Sequence, residues 1–260
     1  MTILSTLITS IIEGITEFLP ISSTFHLLMT QRLLGIAETE FVKLFSVFIQ
    51  AGAILAVVLL YAKDLWHDKW LVIKASVAFA PTALVGLLLY DVIKNVFFES
   101  QAGIIYVFIL VGLLFILLEK FLSKQKDPLN KVIADIGYRD ALIIGGAQAL
   151  AVVPGVSRAG AVIVAMILLR YRRPDAARFS FILSIPTIFA ASALDLFEMR
   201  AVAFASFSNV GLLLLGFLGA FISALFIVKW FISYLQGHSL EIFGWYRIGI
   251  GLILLFLLGK

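Results

Sequence analysis

Apolar stretches separated by short polar interruptions run the length of this chain. Six of them approach the roughly 20 residues with which a helix crosses a bilayer. They lie at about 41–62, 71–90, 103–121, 176–196, 209–232 and 243–259. Two further stretches are too short. Residues 2–12 reach Glu13 and are then interrupted by Pro20, and residues 141–153 run into Pro154-Gly155. Short segments broken by Pro or Gly at corresponding places in two halves point to helices that enter and leave the membrane on one side. The pattern predicts an all-α integral membrane protein with six transmembrane helices and two re-entrant helical hairpins, at 2–35 and 139–169.

The halves resemble each other at an offset of 134, where Pro20 meets Pro154, Ser23 meets Ser157, and Phe45-Ser46 meets Phe179-Ser180. Ile54 and Ala56 likewise meet Ile188 and Ala190. One hairpin and three spans per half make an odd number of crossings, so the repeats are expected in inverted topology. A single membrane domain would hold repeat one at about 1–122, a linker at about 123–138 and repeat two at about 139–260.

Composition agrees. The chain is 62% apolar and 14% charged with a mean hydropathy of +1.09, against about 25% charged in soluble domains. Without cysteine it has no disulfides, thiolate catalysis or Cys-bound metal. The first apolar stretch lacks a basic start and ends in Glu13, a poor signal peptide. The net charge of +4 does not imply nucleic acid, because the cations sort by membrane side. Fourteen fall on one side: Lys63, Lys69, Lys74, Lys120, Lys124, Lys126, Lys131, Arg139, Arg170, Arg172, Arg173, Arg178, Lys229 and Arg247. Five fall on the other, Arg32, Lys43, Lys94, Arg200 and Lys260, with Arg158 set apart as a candidate site residue. The richer side is expected to be cytoplasmic. Both termini and the mouth of the first hairpin then face out of the cell through a plasma membrane. Counting the hairpins as full spans scatters this sorting. Lys120 to Asp140 alternates in sign and reads as a solvated linker, and Arg170–Arg173 as a headgroup anchor.

Chemistry concentrates in the hairpins. Glu13 and Glu17 are four apart, on one helical face. Two carboxylates so close in a low dielectric call for a hard divalent cation such as Mg²⁺ or Ca²⁺, or for one protonated member acting as an acid. Pro20 stops the first half-helix, and Ser22-Ser23-Thr24 would open the next one, where hydroxyls and free N–H groups bind anions. His26 falls three residues beyond Ser23, as a base would for a nucleophile. The second hairpin offers Ser157 and Arg158, whose guanidinium fork suits phosphate oxygens. Gln148 precedes them, and Gly145-Gly146 allow close helix approach. Thr16, Ser46 and Ser180 read as structural. If the hairpin tips meet, phosphate is the ligand that uses all these groups.

The run Glu13-Gly14-Ile15-Thr16-Glu17-Phe18-Leu19-Pro20-Ile21-Ser22-Ser23-Thr24-Phe25-His26, with Pro154-Gly155-Val156-Ser157-Arg158-Ala159-Gly160, resembles the two motifs of the undecaprenyl-diphosphate phosphatase (bacitracin-resistance) family. The likeness covers essentially the whole chain. It implies a membrane hydrolase that takes the terminal phosphate from a polyprenyl diphosphate lipid, recycling the carrier for cell-wall synthesis, with Mg²⁺ or Ca²⁺. It also implies Glu13 and Glu17 in metal or acid–base roles, Ser23 as nucleophile and His26 as base or leaving-group acid. Arg158 would clamp the diphosphate, with Ser22, Thr24, Ser157, Gln148 and Gly160 at substrate-binding positions. Phe25, Ala159 and Val162 stand where the family has Gly, Ser and Thr. The Phe is expected to crowd the phosphate, and the lost hydroxyls to weaken its binding. Broken helices in inverted repeats are also transporter architecture, so a lipid-phosphate carrier without catalysis is the other reading, as is a non-catalytic lipid-binding member. A homo-oligomer is left open.

Overall fold

A computed structural model describes residues 1–88, 101–124 and 128–258. The expected end of the second span, Lys94, Lys126, Asp127, residue 259 and Lys260 lie outside that set. Among the described residues the only β-structure is one isolated bridge, and the regular elements are helices joined by turns and irregular segments. The helices are α1 (Ile3–Thr16), α2 (Ser23–Leu33), α3 (Glu40–Leu60), α4 (Ala62–His67), α5 (Lys69–Leu88) and α6 (Gln101–Ser123). They continue as α7 (Tyr138–Ala149), α8 (Arg158–Leu168), α9 (Arg173–Glu198), α10 (Arg200–Ala203), α11 (Phe207–Leu235) and α12 (Glu241–Leu258). Five of these, α3, α5, α6, α9 and α11, are long and apolar enough to cross a membrane. The sixth expected span falls on a helix, α12, of 18 residues with Arg247 fully buried along it, which is not one of those five.

The short segments stay short. α2 and α8 have 11 residues each, about 16 Å of helix against a hydrocarbon core of about 30 Å. Their ends repeat closely. Ser22 and Ser157 open them at φ 66° and 77°. At their C-termini Ile36 N–H bonds Gln31 O and Tyr171 N–H bonds Met166 O, around Gly35 at φ 63° and Arg170 at φ 75°. These matches, from 22 to 157 and from 35 to 170, lie at an offset of 135, not the 134 that aligned Pro20 with Pro154. Glu13 therefore corresponds to Gln148, and Ser22, not Ser23, to Ser157.

α1 is built inside out. Its buried positions are Ser5, Thr6, Thr9, Ser10, Glu13, Gly14 and Thr16, while Ile3, Leu4 and Ile11 are exposed. Lipid accepts the leucines and isoleucines, and small polar residues let helices approach closely. Thr6, Thr9, Ser10 and Thr16 satisfy their hydroxyls on carbonyls one turn back. Gly14 lies against Ala220 and Ser223 of α11, and Gly219 takes Ser10. Gly52 lies against Phe217, and Gly145 of α7 against Ala78 of α5, again with no room for a Cβ.

Three of the cations assigned to the richer side form ion pairs. Arg178 pairs with Asp64 at 2.6 Å, Lys131 with Asp140 at 3.2 Å, and Arg173 with Glu119. The described part of the expected linker is not a free, solvated strand. Asn130 and Lys131 N–H groups bond Arg170 O, Ile133 N–H bonds Asp175, and Ile136 is buried. Arg247, assigned to the same side by its sequence position, is instead fully buried, its side chain reaching the hairpin tips at Pro20 and Gly155.

Candidate active site

Glu17 ends the first half-helix and Arg158 begins the last one, and the hairpin tips bring them together. Arg158 Nη2 donates to Glu17 Oε1 at 2.7 Å, with both side chains largely buried. The Ser23 hydroxyl donates to Glu17 Oε2. One carboxylate thus takes a serine hydroxyl from its own hairpin and a guanidinium from the other. Both serines at the helix starts hold left-handed backbone that disfavours a Cβ, of order 1–3 kcal/mol each. The unfavourable turns aim the N-termini of α2 and α8 into one space.

That space is a cavity of about 170 Å³. Its walls carry Glu17, Ser22, Ser23 and Thr24 from the first hairpin, and Pro154, Gly155, Ser157 and Arg158 from the second. Gln50 of α3 and Thr187 of α9 also line it. Neither was singled out by the sequence. Gln50 carried a faint signal as a lone amide in an apolar span, and Thr187 follows the intrahelical Pro186. Arg158 Nη1 is buried without a partner, so the guanidinium keeps a donor for an incoming oxygen.

Glu13 lies behind this surface, fully buried, with neither carboxylate oxygen hydrogen-bonded. Gln148 is not in the lining; its amide donates to Thr82 at 2.8 Å and Thr187 at 3.2 Å. Gly160 N–H donates to the Ser157 hydroxyl at 3.2 Å, and a Cβ there would press on Phe115. His26 is not paired with Ser23. Its Nδ1 meets Ser22 O and its Nε2 the Tyr246 hydroxyl, both at 2.8 Å, and it is absent from the cavity wall. Its three-residue spacing from Ser23 shares a helix face, but the serine hydroxyl turns back across the turn to Glu17.

Phe25 does not crowd the cavity. It is buried on the far side, stacked on Phe108 at 3.8 Å, in a small core with Ile104 and Ile105. Ala159 and Val162 sit in the main core, so the hydroxyls they lack fall outside the cavity lining. Arg247, fully buried, donates to Phe108 O at 3.0 Å, to Pro20 O at 3.1 Å and to Gly155 O. It ties both hairpin turns to α6 from α12, its guanidinium lying over the Phe108 ring.

Fold and site together define a multi-pass helical membrane protein with a buried polar centre split between two half-helix pairs. The chain matches the family described as Bacitracin resistance protein BacA over residues 6–253, and it belongs to that family. It is 43% identical to the undecaprenyl-diphosphatase of Campylobacter hominis over 258 residues, covering 98% of this chain and 99% of that one. It is also 43% identical to the undecaprenyl-diphosphatase of Aquifex aeolicus over 253 residues, covering 97% of each. The same name and identity describe the relative in Wolinella succinogenes, over 260 residues and 99% of each chain.

Proposed function

We propose that this chain is an undecaprenyl-diphosphatase, hydrolysing undecaprenyl diphosphate to the monophosphate and inorganic phosphate, and so recycling the lipid carrier of cell-wall synthesis. The observation that carries the chemistry is the chain Ser23–Glu17–Arg158 at the cavity. Glu17 accepts the Ser23 proton as the Ser23 oxygen attacks the terminal phosphorus. The bond to the bridging oxygen breaks, the lipid monophosphate leaves with that oxygen, and water then releases phosphate from the serine. Arg158 Nη1, with the N-termini of α2 and α8, meets the charge that builds on the phosphoryl oxygens. Ser22, Thr24, Ser157 and Gln50 line the same space and orient the diphosphate.

A divalent cation, Mg²⁺ or Ca²⁺, belongs to this proposal. Among the described residues no cluster of three His, Asp or Glu forms a ready cage. The two unpartnered oxygens of Glu13 beside Glu17 still fit the sparse mode in which carboxylates share the ion with substrate phosphate. When bound there, the ion would neutralise phosphate charge. The site is proposed to open on the extracytoplasmic side, with both termini there. Removing Arg247 from the fourteen cations of the opposite side leaves thirteen against five, which still supports that orientation.

The test is phosphate release from a long-chain isoprenyl diphosphate by the purified protein in detergent, with and without Mg²⁺ or Ca²⁺. Release that needs the ion and falls at least about a hundredfold in Ser23→Ala is expected. No release under any condition, or full release by Ser23→Ala, rejects the proposal.

A further inference from the structure

The two hairpins hold the same left-handed serine turn by different bonds. In the second hairpin Ser157 holds it with its own side chain, whose hydroxyl accepts from Gly160 N–H at 3.2 Å. That bond uses the hydroxyl oxygen as acceptor and leaves its O–H free to donate. In the first hairpin Ser22 makes no such cap bond. The corresponding N–H, by the 135-residue offset, is that of Phe25, and the Ser22 hydroxyl takes nothing from it. What secures the turn instead is His26. Its ring Nδ1 bonds Ser22 O at 2.8 Å, and its backbone N–H reaches the same oxygen at 3.3 Å. The second hairpin has Ala161 at the equivalent place, with only the backbone bond to Ser157 O, at 3.0 Å.

The hydrogen positions follow from chemistry. A carbonyl only accepts, so Nδ1 carries the proton, and in a neutral ring Nε2 is then an acceptor. Tyr246 supplies the donor at 2.8 Å, its ring stacked nearly parallel to the imidazole at 5.8 Å. A hydroxyl from α12 thereby fixes the tautomer that α2 needs to clamp its own first turn. Both ring nitrogens are used, and neither faces Ser23 or the cavity.

We propose that His26 and Tyr246 are positioning residues, a relayed cap that holds the Ser22 turn from outside and leaves the Ser22 hydroxyl free for the substrate's phosphate. Ser22 then stands at the cavity beside Ser157, each with an O–H to offer, and Ser23 is kept on Glu17. The inference rests on the phosphatase reading and assigns His26 a part in binding geometry, not in proton transfer.

A double-mutant cycle with the purified protein and long-chain isoprenyl diphosphate tests it. His26→Ala and Ser22→Ala are each expected to lower kcat/KM roughly tenfold, mainly through KM, one lost hydrogen bond being about that large. The double variant should be no worse than either single one. Without His26 the turn that carries the Ser22 hydroxyl to the phosphate is no longer held, so removing that hydroxyl as well costs nothing more. The pH profile of His26→Ala should keep the wild-type shape. Tyr246→Phe keeps the ring stacking, and should raise KM about threefold and mix the His26 tautomers seen by nitrogen NMR. Multiplied losses in the double variant, a pH limb that vanishes with His26, or an unchanged KM in Tyr246→Phe would overturn the inference. If His26→Ala fails to fold, the Tyr246→Phe result decides alone. An inactive wild type overturns the phosphatase reading and this inference with it, whereas an active wild type with multiplied losses overturns this inference only.

Discussion

Glu17 and Phe25 show how far a residue's meaning depends on which way it points. Both sit in one polar motif, yet Glu17 receives Ser23 and Arg158 at the cavity while Phe25 turns outward onto Phe108. Chain position made Phe25 look like an obstruction to phosphate; its helix face makes it a core residue. Phe25→Gly should therefore leave the catalytic rate of the folded protein within about threefold of wild type. It should lower stability by at least about 3 kcal/mol, through a cavity and a glycine in a helix. Thermal melting in detergent beside phosphate release checks both, and a faster enzyme with unchanged melting would restore the crowding view. Glu13, Glu17, Ser22, Ser23, Thr24, Ser157 and Arg158 were legible as polar groups that lipid does not tolerate singly. Gln50, Thr187 and Tyr246 were not, because one amide, hydroxyl or phenol in a span has an ordinary structural reading.

Among the elements, the half-helices were readable because 11 residues cannot span and Pro or Gly stops them. Their register was not. An apolar chain aligns nearly as well at 134 as at 135, and only the serine turns and the matching C-terminal bonds select the latter. Helix contacts were partly visible as glycines in apolar spans. Gly112 of α6 and Gly244 of α12 face each other so closely that a Cβ on either would lie 2.7–2.8 Å from the other's carbonyl oxygen. Gly244→Val should push these helices apart and displace Tyr246 and Arg247, cutting both melting temperature and activity. Gly249→Ala, with nothing within 4 Å of the added carbon, should be neutral or stabilise by up to about 1 kcal/mol. Equal behaviour of the two variants in melting and phosphate release would show that the contact is not tight.

At the scale of the molecule, one buried guanidinium holds the halves of the site together. Arg247 joins Pro20 O, Gly155 O and Phe108 O, three segments far apart in the chain. Each carbonyl left bare in an apolar interior costs about 1–3 kcal/mol, partly offset by no longer burying a charge. Arg247→Leu is thus expected to lose about 3 kcal/mol of stability and most activity. Arg247→Lys should recover little, since an ammonium lacks the planar fork. Melting curves and phosphate release on both variants decide it; wild-type values for Arg247→Leu would show that the tips align without the staple.

The sequence by itself determined the membrane class, five long apolar helices, the broken half-helices and the family. Each follows from local composition, from the length a helix needs to cross lipid, or from contiguous motifs. Only the tertiary structure decided that Ser23 leans on Glu17 and not His26, that Phe25 faces away, and that Arg247 is a staple and not a surface charge. Those depend on which residues meet across gaps of up to 227 positions, and neither apolar periodicity nor charge sorting carries information about such encounters.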